Sequence, residues 1–166
     1  MSGDSQTQAE AATPSAAPVA MDLYQQIVLE HSRRPRNFRR LDGADRRAEG
    51  HNRLCGDKVT LYLGLAGDHI TAATFEAAGC AICLASASLL TESVEGLALP
   101  AADALAAGVI DHFVDPDAHP LAGALAALDG VLAYPSRIRC ATLPWQTLRQ
   151  ALSGRHDAIA STEPPA

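Results

Sequence analysis

Residues Lys58 to Ala66 restrict the possible folds more than any other stretch. Val59, Leu61, Leu63 and Leu65 alternate with Thr60, Tyr62 and Gly64, the period-two pattern of a strand with one face turned to a core. Gly67-Asp68 reads as a turn and His69 to Glu76 as a returning strand, which predicts an antiparallel pair. The second strand runs out at Gly79. Cys80 follows, and Leu84-Ala85-Ser86-Ala87-Ser88-Leu89-Leu90 continues as a small-residue helical run predicted to reach about Glu95. A third strand with a weaker pattern is expected around Arg46 to His51.

Helices fill the remainder. Leu23, Tyr24, Ile27, Val28 and His31 recur at three- and four-residue intervals, so a helix is predicted from near Leu23, capped by Asp22 and stopped by Pro35. Arg36 to Arg47 reads as a polar loop. A short helix is expected from Ala101, an Asp-Pro-rich loop over Asp111 to Pro120, and an alanine-rich helix over Leu121 to Leu128. Cys140 is placed in a turn before a last helix, Leu143 to Leu152, with Pro144 near its first position. Helix, antiparallel strands, helices: the order predicts an α+β fold with a small sheet of about three strands packed against α-helices. Residues 1–20 are rich in Ser, Thr, Gln, Ala and Pro and are expected to be disordered, 21–152 to form the domain, and 153–166 to be a flexible tail.

Composition excludes some functions. The 166 residues suit one domain, and the longest apolar candidate, Leu121 to Ala133, is broken by Asp129 and falls short of the roughly 18 residues that cross a bilayer. Mean hydropathy is +0.02, in the ordinary soluble range. Met-Ser-Gly-Asp-Ser lacks the basic start of a signal peptide, so a cytoplasmic protein is expected, with no membrane partner. The net charge of −6 hides an asymmetry: nine of the thirteen Lys and Arg lie between Arg33 and Lys58, against four acids in the same stretch. That stretch reads either as a solvated loop or as a docking patch for an acidic protein. No aromatic platform accompanies the arginines, which argues against nucleic acid.

In a reduced compartment the four cysteines point to metal or catalysis rather than to disulfides. Cys80, at a helix N-terminus, sits among unpaired N–H groups and the positive end of the helix dipole, which favour thiolate. Cys55-Gly56-Asp57 sets a thiol and a carboxylate two residues apart at the start of a strand, with Gly56 allowing a tight bend between them. With Cys140, three thiolates and a carboxylate suit tetrahedral zinc, and nearly as well an iron–sulfur cluster. Cys83 reads as a small buried hydrophobe. Cys80-Ala81-Ile82-Cys83 also has the spacing of a thiol–disulfide exchange motif, a reading that leaves Cys55, Asp57 and Cys140 without a role. His51 and His112 are further ligand candidates, weaker because scattered histidines are mostly surface or core residues.

Taken together, several motifs resemble the NifU/IscU/SufU family of iron–sulfur assembly proteins. They are Leu23-Tyr24-Gln25-Gln26-Ile27 with His31 and Pro35-Arg36-Asn37; Cys55-Gly56-Asp57; Phe75-Glu76 with Gly79-Cys80; Ala85-Ser86-Ala87-Ser88; and Arg137-Ile138-Arg139-Cys140-Ala141-Thr142-Leu143 with Trp145. The resemblance covers about 22 to 152, in the family's order. Arg139, where the scaffold proteins usually carry histidine, and the long segment before Cys140 bring it nearest to the SufU branch. Cys83 stands where that branch usually has Ser or Ala, and Arg53 where it usually has proline.

The resemblance implies zinc bound by Cys55, Asp57, Cys80 and Cys140, with Cys55 as sulfur acceptor and Arg137 beside the site. The alternative is a [2Fe–2S] cluster or iron on the same ligands, or an all-thiolate set in which Cys83 displaces Asp57. It also implies a SufS-like cysteine desulfurase as partner, with downstream iron–sulfur assembly proteins or apo-proteins as recipients. The protein would be a sulfurtransferase-like partner of that enzyme rather than a stand-alone catalyst.

Overall fold

A computed structural model describes the backbone of residues 16–154 and 158–161, with side chains over 23–154. Helix α1 spans Ala16–Arg33, and strands β1 Arg46–Asn52, β2 Asp57–Ala66 and β3 His69–Ala78 follow. Next come α2 Ala81–Val94 and α3 Leu99–His112, a 3-10 segment Gly123–Ala133 with a short turn Pro135–Arg137, then α4 Ile138–Leu152 and β4 Ala158–Ser161.

β2 lies at the centre of the expected antiparallel set, with Leu61 opposite both Ala48 of β1 and Phe75 of β3. Gly67 takes φ 62° in the hairpin turn, a conformation that disfavours any residue with a Cβ. Val59, Leu61 and Leu63 are fully buried, with Ala48 and Phe75 beside them, but Thr60 and Tyr62 are buried as well, so β2 is covered on both faces rather than on one. Helix α2 is buried on nearly every side, from Cys83 through Val94. Its Ala and Ser side chains let α1 and α4 approach closely, and the hydroxyls bond rather than solvate. Trp145 Nε1 donates to Ser86 Oγ at 3.0 Å, and Ser86 Oγ donates to the Ala141 carbonyl at 2.6 Å. That relay ties α4 to α2.

A second clasp holds α1. Ser88 Oγ lies 2.7 Å from His31 Nδ1 and accepts the Arg36 N–H at 2.8 Å, while Asn37 Nδ2 donates to Thr91 Oγ1. Asn37 has φ 61°, which Asn tolerates better than most residues, and its carbonyl accepts the Phe75 N–H. Burial, with help from Arg36, holds His31 below its ordinary pKa, so the ring is neutral at pH 7 and shares a hydrogen bond with Ser88.

Several boundaries depart from expectation, each for a physical reason. Helix α1 begins at Ala16, so Asp22 lies within it rather than capping it; the alanine-rich lead-in has high helix propensity and Pro18 falls in the first turn, where proline is tolerated. Residues 1–15 of the expected disordered tail lie outside the described residues. Helix α3 starts at Leu99, with Pro100 in its first turn, and runs to His112. The predicted α-helix over 121–128 is a 3-10 segment whose Leu125, Leu128 and Val131 are buried at intervals of three, the period of that helix. Helix α4 starts at Ile138, which puts Cys140 in its first turn and Pro144 inside it. The buried face from Cys140 to Ala151 outweighs the roughly 3 kcal/mol that an interior proline costs. Part of the expected flexible tail forms β4, which pairs in parallel with β1 and makes a four-stranded sheet in the order β3-β2-β1-β4.

Candidate functional site

Three chain segments converge at one end of the sheet. Between β1 and β2 the chain turns sharply: the Gly56 N–H donates to the Asn52 carbonyl at 2.7 Å, and the Leu54 N–H donates to Asn52 Oδ1 at 3.2 Å. Gly56 takes φ 77°, the bend that its sequence position implied. Arg53, Leu54 and Cys55 are thereby pushed into solvent, while Asp57 is drawn in as the first residue of β2, only 2% exposed.

Asp57 faces the start of α2. Its Oδ1 accepts the Cys80 N–H at 3.0 Å and its Oδ2 lies 3.9 Å from Cys80 Sγ. Gly79 makes that approach possible, because a Cβ there would lie 2.7 Å from Asp57 Oδ1. Cys80 is the N-cap residue of α2 but makes no side-chain capping bond, so its sulfur stays with the site rather than with the helix. From α4, Cys140 Sγ comes within 3.7 Å of Cys55 Sγ and 4.0 Å of Asn52 Nδ2.

Among the described residues, ligand atoms of Cys55, Asp57 and Cys140 all lie within 4.8 Å of one another. Cys80 joins them through Asp57. Bonds of about 2.3 Å to sulfur and 2.1 Å to oxygen place tetrahedral neighbours roughly 3.6–3.8 Å apart. The Cys55–Cys140 and Asp57–Cys80 separations of 3.7 and 3.9 Å are close to two such edges, so three of the four expected donors meet at one point, while Cys80 Sγ stands beside them, outside that 4.8 Å group.

Burial, reinforced by Asp57, Cys80 and Cys55, pushes the Cys140 thiol well above the ordinary thiol range. A divalent cation would reverse that balance, since it binds thiolate. Arg137 is exposed, yet electrostatic coupling to Cys80 and hydrogen bonding with Cys140 and Cys80 raise its pKa.

The other candidates separate cleanly. Cys83 is fully buried behind the site with Val59, Cys140 and Leu143, and burial, then Asp57 and Cys80, pushes its thiol up. It sits in the core, as its sequence reading expected. His51 lies along β1 opposite Lys58. His112 is not a ligand: its Nδ1 is 2.6 Å from the His119 carbonyl and its Nε2 is 2.6 Å from Asp129 Oδ1. Much of the basic stretch is tied down, with Arg46 on the Ala151 and Leu152 carbonyls, Arg36 on Glu30, Arg40 on Asp42, and Lys58 near Glu49. Asn52 and Gly79 were not singled out from the sequence as parts of the site. The signal for each was faint: a polar residue three before a cysteine, and a glycine directly before one.

The family described as NifU-like N terminal domain matches residues 23–154. The chain belongs to that family. The NifU-like domain here is 33% identical over 139 residues to the "Zinc-dependent sulfurtransferase SufU" of Bacillus subtilis, covering 79% of this chain and 90% of that one. It is 35% identical over 144 residues to the "Iron-sulfur cluster assembly scaffold protein IscU" of Streptococcus pyogenes, covering 85% and 89%. Among solved structures it is similar to a SufU from Fervidobacterium islandicum described as a putative iron-sulfur cluster assembly scaffold protein, with a TM-score of 0.68, 29% identity, and 76% and 94% of the two chains covered. A NifU-like protein from Brucella abortus, at 23% identity and a TM-score of 0.70 over 80% and 94% of the chains, shares the fold. Among the described residues no helix is long and apolar enough to cross a membrane.

Proposed function

We propose that this NifU-like protein is a zinc-dependent sulfur acceptor in iron–sulfur cluster assembly, taking persulfide sulfur from a SufS-like cysteine desulfurase onto Cys55. One observation carries the reading. Of the thiols at the site, Cys55 alone is exposed, on a glycine-hinged loop, while Cys140 and Asp57 are buried and Cys80 is half-buried. An acceptor must meet a sulfur carried on another protein, and the exposure of Cys55 favours it over the partly buried Cys80 and the buried Cys140. The relation to a protein named as a zinc-dependent sulfurtransferase supports the same reading.

Cys55, Asp57, Cys80 and Cys140 would hold the zinc, which when bound keeps thiols deprotonated at neutral pH. The chain's own groups do the remainder. The Cys80 N–H orients the Asp57 carboxylate. Asn52 shapes the Cys55 loop with its main-chain carbonyl and its Oδ1, and Gly56 supplies the left-handed bend between Cys55 and Asp57. Cys55 thiolate then attacks the outer sulfur of the donor's persulfide: a new S–S bond forms on Cys55, the donor's S–S bond breaks, and the donor cysteine leaves as thiolate. Arg137, next to Cys80 and Cys140, offers a counter-charge to the anionic persulfide. The product, a persulfide on Cys55, would pass to downstream assembly proteins or apo-proteins.

The test is Cys55→Ala, assayed with desulfurase and cysteine by mass spectrometry of the intact chain. The wild type should gain 32 Da (about one sulfur atom) and the variant nothing. A variant that still gains sulfur assigns acceptance to another thiol. A second reading, a scaffold carrying a [2Fe–2S] cluster as cargo on the same donors, is favoured by the IscU relative. Metal and acid-labile sulfide content after anaerobic purification separates the two: zinc without sulfide supports the acceptor, equal iron and sulfide the scaffold.

A further inference from the structure

Of the four cysteines, Cys83 is the one that the acceptor reading leaves without a task. It stands three residues after Cys80, and the fold sets this C-x-x-C pair at a helix start: Cys80 is the N-cap residue of α2 and Cys83 lies in its first turn. Both are free thiols. Cys80 is half-buried, whereas Cys83 is fully buried in the apolar cluster with Val59, Cys140 and Leu143, against which Cys80 packs. Residues three apart at a helix start have Cβ atoms about 5–6 Å apart, and a disulfide needs about 3.5–4.5 Å. The remaining movement falls to Cys80, whose backbone is extended (φ −75°, ψ 168°) and whose side chain makes no capping bond, so α2 need not unwind to close the bond.

We propose that Cys80 and Cys83 form an oxidation site: a hydroperoxide converts them to a disulfide, which withdraws Cys80 from the metal donors and switches the acceptor off. The switch rests on the reading of Cys80 as a zinc donor and adds regulation to it. The Cys80 thiolate attacks one peroxide oxygen: an S–O bond forms, the O–O bond breaks, and hydroxide leaves, so Cys80 becomes a sulfenic acid. The Cys83 thiol then attacks that sulfur: an S–S bond forms, the S–O bond breaks, and the thiol proton leaves with the hydroxyl as water. Two electrons pass from the pair of sulfurs to the peroxide. Closing the bond draws Cys80 Sγ from its place 3.9 Å from Asp57 Oδ2 toward the core. Unpaired N–H groups at the start of α2 favour thiolate on Cys80 and make it the partner that meets the oxidant, while burial keeps Cys83 for the second step. Cys55 and Cys140, 3.7 Å apart, are the competing pair, but Cys55 lies on a loop with no helix start to favour its thiolate, and Cys80 stands outside their group.

The test treats the zinc-loaded full chain with limiting hydrogen peroxide, alkylates the free thiols and digests with trypsin, while a chromophoric chelator reads released zinc. No Lys or Arg lies between Lys58 and Arg137, so Cys80 and Cys83 stay together in the peptide 59–137, and Cys55 and Cys140 fall in separate peptides. The expected result is a 59–137 peptide that takes up no alkylating reagent, zinc release that matches its yield, and recovery of both thiols and of zinc binding on addition of dithiothreitol. In Cys83→Ala the second thiol is missing, so Cys80 goes on to sulfinic acid and the reductant does not restore zinc binding. A crosslink between the Cys55 and Cys140 peptides, with both thiols of 59–137 alkylated, overturns the proposal. So does a disulfide form that keeps its zinc, or a Cys83→Ala protein that loses and regains zinc as the wild type does. A reduced wild type that binds no zinc overturns the zinc-donor reading and the switch with it, whereas mapping of that metal-free chain still decides whether Cys80 and Cys83 pair.

Discussion

Gly79→Ala isolates the role of the backbone in placing a ligand. Gly79 has no left-handed φ, so alanine meets no backbone strain there. The difficulty is space: the new methyl carbon would lie 2.7 Å from Asp57 Oδ1, 3.1 Å from Cγ and 3.3 Å from Cβ. Relief to an ordinary contact of 3.4 Å needs a shift of about 0.7 Å in a side chain that is 98% buried and held by the Cys80 N–H at 3.0 Å. Such a shift breaks that bond, which is charge-assisted and worth about 1.5–3 kcal/mol. By the same displacement the carboxylate leaves the position from which it would reach a metal, and misplaced supporting groups cost metal sites about 10–100-fold in affinity. At about 1.4 kcal/mol per factor of ten, the two figures agree. Competition with a chromophoric zinc chelator should therefore show binding weakened by one to two orders of magnitude (about 10–100-fold). Gly108→Ala, inside α3 with nothing near its new Cβ, should leave zinc binding alone and stabilise the chain by up to about 1 kcal/mol. Zinc affinity of Gly79→Ala within twofold of wild type would refute the argument that this glycine exists to admit Asp57.

Three further outcomes are expected. Folding holds His31 below its ordinary pKa of 6.5, so the unfolded chain takes up this proton first and stability falls as pH drops below that value; urea titrations at pH 7 and pH 5 should show a smaller loss in His31→Gln than in wild type. In the metal-free protein Cys83 and Cys140 are held above the ordinary thiol value of 9.0, so stability is full below that pH and declines as pH rises through it. Cys83→Ala should reduce that decline, cost about 1 kcal/mol at neutral pH and leave zinc stoichiometry unchanged, which also tests whether Cys83 is a ligand. After chelation of metal, alkylation followed by peptide mapping should label Cys55 first and Cys80 next, with Cys83 and Cys140 protected until denaturant is added; early labelling of Cys140 would contradict the buried placement.

Much of the fold was legible because its signals are local. The alternation in Val59 to Leu65, the Gly67 turn and the unbroken small-residue run after Cys80 each fix an element without reference to the rest of the chain. Boundaries failed where tertiary packing outranked local preference. Pro144 reads as a helix start by propensity, yet the apolar face from Cys140 to Leu148 carries the helix through it. The 3-10 segment was misread because Leu125 and Leu128 fit a period of three or three and a half equally well over so short a span. At the site, residue types pointed to Cys55, Asp57 and Cys140, which the fold brings together, whereas the groups that position them did not stand out. Asn52 acts through its carbonyl as well as its side chain, and Gly79 acts through the absence of one. The basic stretch misled in the other direction, since clustering in sequence became dispersal in space once Arg46 turned to the end of α4 and Lys58 to Glu49.

The 3.7 Å approach of Cys55 to Cys140 joins residues 85 positions apart, the first and last donors in the chain. A growing polypeptide therefore displays Cys55, Asp57 and Cys80 well before the fourth donor exists. Until α4 docks through Trp145 on Ser86, the proposed zinc site lacks one of its four donors. Under the proposed function, a complete zinc site therefore requires the last helix of the chain to be in place, so metal content would report on the finished fold.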